Sequence, residues 1–313
     1  MAFKRSPQLF SAKVNEVTLG SGSRAVTLGG ENVLPLYSFD APLPHRAAVG
    51  VEITDLGVDT TVPGIAAYYE GAKTLGELAA RAAAMPGADF VCLSFPGADP
   101  NGQNRGVEEC VALAKEVADA IDCPLAIQGC KNVEKDTALF EAVAEALQGR
   151  NILIVSAREE NYKTLTAGAA MAYGQTVSAE SAVDINLAKQ LNVLMTQLGM
   201  KSDLHVMNVG SAAVGYGYEY VASTLDRVRG AALGQNDTSL TMPIVTPVAG
   251  EAWAVKEAVV TEEEFPEWGD RETRGIRMET ATAAAVLAGG SDAVILRHPE
   301  SVKTVSALIG ALM

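Results

Sequence analysis

The sequence predicts an α/β fold: a (β/α)8 barrel of the TIM type with an N-terminal β-hairpin extension. Three observations predict it. From Ala48 onward, short β-rich runs alternate with amphipathic helical segments, the pattern of parallel strands joined by crossover helices. The unit recurs eight times, and most of the strand runs are continuously apolar, as expected of strands covered on both faces. The length of 313 residues, 48% of them hydrophobic, exceeds the ~250 residues such a barrel typically needs. The expected organisation is an extension over residues 1–47 and a barrel over residues 48–313. An open doubly wound sheet is the competing arrangement, but no Gly-x-Gly-x-x-Gly turn follows the first strand.

The elements follow in order. Val14–Leu19 and Arg24–Leu28 flank Gly20-Ser21-Gly22-Ser23, which reads as a hairpin. Such a hairpin covers the barrel floor or contacts a partner, and the sequence leaves both open. Barrel strands are expected at Val49–Thr54, Asp89–Ser94, Leu125–Gln128, Ile152–Ser156, Gln175–Ser178, Leu204–Asn208, Pro243–Thr246 and Ala293–Arg297. Apolar residues at spacings of three and four predict helices at Leu75–Met85, Val107–Ile121, Lys135–Leu147, Tyr162–Met171, Ala182–Leu198, Tyr218–Leu233, Glu272–Leu287 and Val302–Leu312, each able to lay one stripe on a sheet. Gly87, Gly149, Gly199, Gly234 and Gly289 stand where a left-handed helix cap is cheap. The segment from Pro247 to Arg271 is long for a compact domain, where such loops are usually functional.

Composition excludes several classes. A formal net charge of −14 argues against binding a phosphate backbone, so nucleic acid is not an expected partner. No apolar run approaches the ~20 residues that cross a bilayer. Met1 to Phe10 carries Lys4 and Arg5 but no apolar core of a secretory leader, so the expected location is cytoplasmic. Cys92, Cys110, Cys123 and Cys130 form no Cys-x-x-Cys pair and read as reduced thiols rather than cluster or zinc ligands. Cys130, past a strand end, is the one candidate for reactivity.

In a β/α barrel the chemistry sits where strands end. Those positions hold Asp55, Ser94, Gln128, Gly129, Ser156, Ser178, Asn208, Thr246 and Arg297 with His298. Hydroxyls and amides dominate, with one clear carboxylate. Paired-carboxylate hydrolysis lacks its second acid. Ser94 and Ser156 lie in no nucleophile elbow, no lysine closes a strand for Schiff-base chemistry, and no His-x-x-x-His or paired-carboxylate motif offers a metal site. His205 lies inside a strand as a core imidazole. His298 either caps the last helix or meets a ligand. Such a rim suits holding a large polar ligand better than cleaving one.

Specific strings add to this reading. Glu160-Asn161-Tyr162-Lys163 and the run from Ser181-Ala182-Val183-Asp184 to Asn192 resemble the small, delta-type subunit of the corrinoid iron–sulfur protein of the carbon monoxide dehydrogenase/acetyl-CoA synthase system. Gly215-Tyr216-Gly217-Tyr218, Gly250-Glu251-Ala252-Trp253, Trp268-Gly269-Asp270, Arg297-His298-Pro299-Glu300 and the opening Gly29-Gly30-Glu31 are similar in the same order, so the resemblance runs from about residue 28 to 300. It implies a heterodimer with a large subunit that carries a 4Fe–4S cluster and a mobile corrinoid-binding domain. The cobamide would be held base-off between that domain and this barrel's C-terminal rim. A methyl group would arrive from methyltetrahydrofolate through a partner methyltransferase and leave to acetyl-CoA synthase, in the reductive acetyl-CoA pathway of carbon dioxide fixation. This chain would then be a methyl-carrier component rather than a catalyst alone, with no metal ligand of its own.

The corrinoid contacts expected on the rim are Asp55, Ser94, Gln128, Gly129, Ser156, Asn208, Gly210, Thr246, Trp253 and Arg297. Trp253 stacks on the corrin or on a partner, or anchors its loop on the barrel. Asp184 caps its helix or meets the cofactor. At the end of strand six the family pattern has an acidic residue and a proline where this chain has Asn208-Val209-Gly210, which puts residue transfer there in doubt. Two other readings stand beside this one. A pterin-dependent methyltransferase barrel would use Asp55, Ser94, Asn208 and the Gly87-Ala88-Asp89 entry as a pocket for methyltetrahydrofolate, and a structural scaffold would leave the rim idle.

Overall fold

The computed structural model describes residues 6–313, so Lys4 and Arg5 lie outside the described residues. Strands β1 (Val17–Leu19) and β2 (Val26–Leu28) form the antiparallel hairpin. The barrel strands are β3 (Ala48–Thr54), β4 (Phe90–Ser94), β5 (Leu125–Gln128), β6 (Leu153–Ala157), β7 (Thr176–Glu180), β8 (His205–Asn208), β9 (Val245–Pro247) and β10 (Ala293–Leu296). All neighbours pair in parallel in the order β8-β7-β6-β5-β4-β3-β10-β9. A single parallel bridge, Met207 to Ile244, joins the two ends, so the barrel is nearly closed with its seam between β8 and β9.

Helices α1 (Pro63–Tyr68) and α2 (Leu75–Ala83) follow β3; α3 (Val107–Ala120), α4 (Val133–Ala146), α5 (Tyr162–Leu165), α6 (Ile185–Gln197) and α7 (Tyr218–Arg229) follow the next five strands. The chain after β9 carries α8 (Ala249–Ala252), α9 (Lys256–Val259) and α10 (Arg271–Gly289), and α11 (Pro299–Leu312) ends the barrel. The short α1 escapes the sequence pattern because it is under two turns long. The long segment after β9 contains two single-turn helices rather than open loop.

Alternation divides the core in two. One set of strand residues, including Ala48, Phe90, Cys92, Ala126, Leu153, Val155, Val206, Val245, Ala293 and Ile295, fills the barrel interior. The other set packs outward under the helices. Phe90 has room because a Cβ on Gly50 would lie 2.3 Å from its ring.

The hairpin plugs the floor. Val17, Leu19 and Leu28 are fully buried and join the interior cluster. The Asn151 amide donates to the Thr18 carbonyl at 2.6 Å, just before β6. Of the two expectations for the hairpin, covering the floor is the one this packing meets. Each hairpin strand keeps three residues because a 3-10 turn takes up Gly22–Arg24.

Helix ends obey capping chemistry. Asn132 accepts from Lys135 N at 3.0 Å, and Asp270 from Thr273 N at 2.6 Å. Gly87, Gly149 and Gly199 adopt positive φ as expected, but the left-handed cap of α10 is Gly290 rather than Gly289, and Gly234 lies in a π turn.

His205 is fully buried and neither ring nitrogen has a partner among the described residues. Burial pushes its imidazole down to about 4. Because the folded state resists protonation that the unfolded chain accepts near 6.5, stability is complete above that pH and falls as pH drops toward 4. Urea denaturation at pH 7 and pH 4.5 should show a loss that shrinks by about 2–3 kcal/mol in His205→Leu; an identical acid loss in both proteins would contradict it.

Candidate functional site

The C-terminal ends of β5 to β9 surround a cavity of about 320 Å³. Its wall is built strand by strand. β5 ends in Gln128 and Gly129, followed by Lys131; β6 supplies Ser156, then Arg158 and Asn161. β7 ends in Glu180, followed by Ala182 and Val183; β8 supplies Asn208, Gly210 and Ser211. Gly250 and Glu251, in α8, close the far side.

Polar groups in this wall are mostly tied to one another. The Asn208 amide donates to Ser156 Oγ at 3.0 Å and its carbonyl oxygen accepts from Gly210 N at 3.0 Å. Arg158 pairs with Glu180 at 3.1 Å, linking the ends of the neighbouring strands β6 and β7, and Lys131 pairs with Glu251 at 3.2 Å, linking the loop after β5 to α8 on the far side of the cavity. Asn161 holds the β6 turn by accepting from Arg158 N at 2.7 Å and donating to Thr137 Oγ1 at 2.9 Å. Asp136 accepts from Cys130 N at 2.7 Å, and burial raises its carboxyl above the usual range. Two groups remain available. Gln128 has only a distant thiol at 4.0 Å beside it, and Ser211 Oγ is buried with no partner among the described residues.

The backbone here is strained. Lys131, Ala182 and Val183 adopt φ of 70°, 46° and 60°, a region that costs non-glycine residues energy and is least tolerated by a β-branched side chain such as Val183. Such conformations persist where surrounding structure imposes them and cluster at functional sites.

The structure brings together five of the ten expected contacts: Gln128, Gly129, Ser156, Asn208 and Gly210. The other five lie elsewhere. Asp55 is no free carboxylate: Gly97 N donates to it at 2.9 Å, Arg105 Nε pairs with it at 2.9 Å, and its side chain is fully buried. Ser94 is buried below the mouth, beside Thr54 and Gln128. Thr246 faces outward from β9, because its neighbour Val245 fills the interior and side chains alternate along a strand, and its hydroxyl bonds Ser291 Oγ at 2.6 Å. Trp253 is a buried anchor, stacked on His298 with ring centroids 5.7 Å apart. Arg297 turns to Glu52 at 2.8 Å and lines a second cavity, of about 360 Å³, at the β3–β10 side of the rim.

Other expectations also resolve. His298 caps α11: Glu300 N donates to its Nδ1 at 3.1 Å, leaving Nε2 against Glu272 at 2.9 Å. Asp184 caps α6 by accepting from Asn186 N at 2.7 Å. Burial pushes the Cys130 thiol up to about 11, which disfavours the thiolate that a reactive cysteine needs. Asp89, expected in a pterin pocket, lies at the opposite end of the barrel, accepting from Val49 N at 2.9 Å. Among the described residues no group of three or more His, Cys, Asp or Glu is placed to hold a metal, and no helix is long and apolar enough to cross a membrane.

Sequence reasoning missed Lys131, Arg158, Glu180 and Glu251 as cavity residues. β6 and β7 run to Ala157 and Glu180, one and two residues past the expected ends, so the rim charges fell into what read as loops. Charged residues directly behind the apolar runs were the available signal.

The family described as CO dehydrogenase/acetyl-CoA synthase delta subunit matches residues 16–307. The chain belongs to that family. The delta subunit of the acetyl-CoA decarbonylase/synthase complex of Archaeoglobus fulgidus is 32% identical, covering 99% of this chain and 71% of that protein. A delta subunit of Methanosarcina acetivorans is 32% identical over 94% of this chain and 69% of its own length. That of Methanothermobacter thermautotrophicus is 30% identical, with 94% and 74% covered. These delta subunits therefore extend beyond the region this chain matches. Among solved structures, the fold is like that of dihydropteroate synthases. The Yersinia pestis enzyme, in a sulfonamide drug complex, gives a TM-score of 0.55 at 12% identity, covering 85% of this chain and 93% of that one. The Xanthomonas albilineans enzyme with 4-aminobenzoic acid gives 0.55 at 15%, covering 95% and 98%. At such identities the likeness is one of fold, and the delta-family barrel shares it.

Proposed function

We propose that this delta-family chain is the corrinoid-cradling, methyl-carrier subunit of an acetyl-CoA decarbonylase/synthase complex. The observation that supports it most is the position of the family-like strings: Asn161, Ala182, Val183, Gly250 and Glu251 come from three separate strings and meet on one strained, polar cavity at the barrel's C-terminal rim.

The cavity's chemistry fits a corrinoid's edge. Gln128, Asn208, Ser156 and Ser211 offer neutral hydrogen-bonding groups suited to the carboxamides around a corrin ring. A volume of about 320 Å³ is far too small to enclose the macrocycle, so this chain forms one side of a cradle and the large subunit the other. No histidine lines the cavity: His205 is buried in the core, His298 pairs with Glu272 and His45 lies near Glu16. A bound corrinoid supplies the cobalt centre that takes and gives the methyl group, and the protein supplies position and environment. Here Gln128 and Ser211 would orient the ring edge, while the Arg158–Glu180 and Lys131–Glu251 pairs hold the loops that exclude water. The 4Fe–4S cluster is assigned to the large subunit. A methyltetrahydrofolate-dependent methyltransferase would be the methyl donor's enzyme and acetyl-CoA synthase the acceptor.

Co-purification with the large subunit tests this reading by cobalt assay and visible absorption. The wild-type complex should hold cobalt, and Gln128→Leu should weaken retention by about tenfold, the worth of one or two lost hydrogen bonds, with unchanged melting temperature. A cobalt-free complex that still accepts methyl groups would overturn it. Stoichiometric binding of methyltetrahydrofolate to the isolated chain would favour the pterin-dependent methyltransferase instead.

A further inference from the structure

We propose that the second rim cavity is a binding site for a flat, neutral or weakly basic heteroaromatic ligand, with the Tyr69 hydroxyl as its buried hydrogen-bond donor. The cavity of about 360 Å³ lies between the end of β3, the following loop and α1. Its size falls at the small end of the ~300–1,000 Å³ typical of small-molecule sites. The wall is apolar: Ile53, Leu56, Val58, Ile65, Leu78 and Pro96.

Within this apolar wall stands one polar group that the fold leaves unmet. Tyr69 is 5% exposed, lines the cavity, and its hydroxyl has no partner among the described residues. A buried hydroxyl without a partner is costly, and native structures rarely leave one so. Tyr68 packs edge-on against its ring, with centroids 5.1 Å apart and an interplanar angle of 87°. Burial raises the phenol above its ordinary range, so at neutral pH it remains a donor and calls for an acceptor such as a ring nitrogen.

Charge at the mouth selects further. The one cation, Arg297, is neutralised by Glu52 at 2.8 Å. Asp59 adds a carboxylate whose only described hydrogen bonds are with Thr61, at 2.9 and 2.6 Å. Phosphates and carboxylates are therefore disfavoured, and a neutral or weakly basic ring is favoured. Two sources share this chemistry: a free heterocycle, or the detached base on a cobamide's nucleotide tail. Only the second source rests on the corrinoid reading.

Calorimetric titration of the full chain with 5,6-dimethylbenzimidazole tests the site. Saturable 1:1 binding is expected, weakened about tenfold in Tyr69→Phe, whose melting temperature should match or exceed wild type because an unmet hydroxyl has been removed. Absence of saturable binding, as when water alone meets the phenol, or equal affinity in Tyr69→Phe, overturns the proposal. In the complex with the large subunit, displacement of the bound heterocycle by a complete cobamide but not by cobinamide assigns the site to the nucleotide base. Retention of the heterocycle against both assigns it to a free ligand, and either result supports the site. The titration on the isolated chain needs no corrinoid, so its failure is separable from a failure of cobalt retention.

Discussion

Arg229→Met is expected to lower the unfolding free energy by about 3–5 kcal/mol, the usual consequence of removing one partner from a buried charge pair. Arg229 is 2% exposed, at the C-terminal end of α7. Its guanidinium donates to the Gly290 carbonyl at 3.0 and 2.6 Å and to Asp292 at 2.5 Å. Asp292 in turn accepts from Ile244 N at 2.6 Å, just before β9. One side chain thus joins α7, the α10 cap, β10 and β9 on the floor of the barrel, next to the seam where a single bridge closes the sheet. Glu31, which follows the hairpin, approaches the same guanidinium at 3.9 Å. Burial first, and Asp292 second, push its carboxyl up to about 8, and Asp292, at 2.5 Å, is the nearer partner of the guanidinium. Without the guanidinium, Asp292 is left buried and uncompensated. Against a typical total stability of about 5–15 kcal/mol, the loss should be plain in urea denaturation. Arg229→Met with Asp292→Asn should recover part of it, and a single-variant loss below about 1 kcal/mol would contradict the account.

Trp253→Ala should cost a comparable amount, about 3–5 kcal/mol for emptying the site of a buried indole. The ring fits against backbone, since a Cβ on Gly275 would lie 2.3 Å from it. It also stacks on His298 at a 19° interplanar angle. The consequence extends to the cavity, because Gly250 and Glu251 sit on the same short α8 that Trp253 ends. Cobalt retention should therefore fall together with stability, and Trp253→Phe should restore most of both. Retention lost at unchanged stability would instead mean that the indole meets the cofactor itself.

The barrel was legible because its signal is local and repeated. Eight apolar runs and eight amphipathic segments each bury a face regardless of their neighbours' details, and strand centres such as Phe90–Ser94 and Leu125–Gln128 follow from that requirement. The cavity was half legible. Gln128, Gly129, Ser156, Asn208 and Gly210 stand at or just past strand ends, where topology alone places them on the rim. Glu180 and Arg158 were hidden because polar residues end an apolar run without ending the strand; hydrogen bonds from neighbouring strands carry it further. Asp55 and Thr246 failed for a different reason. Position at a strand end says nothing about which partner claims the side chain, and Arg105 and Ser291, 50 and 45 residues away, claim these two.

By itself the sequence determined the repeating layers, the count of strand–helix units and the family. Hydrophobic periodicity and short strings survive without knowledge of distant contacts. Only the tertiary structure decided that the hairpin plugs the floor, that Trp253 and His298 anchor the rim, and that Tyr69 faces a cavity unpartnered. Each depends on groups remote in sequence meeting within hydrogen-bond or stacking distance, and closure of the barrel is what brings them there.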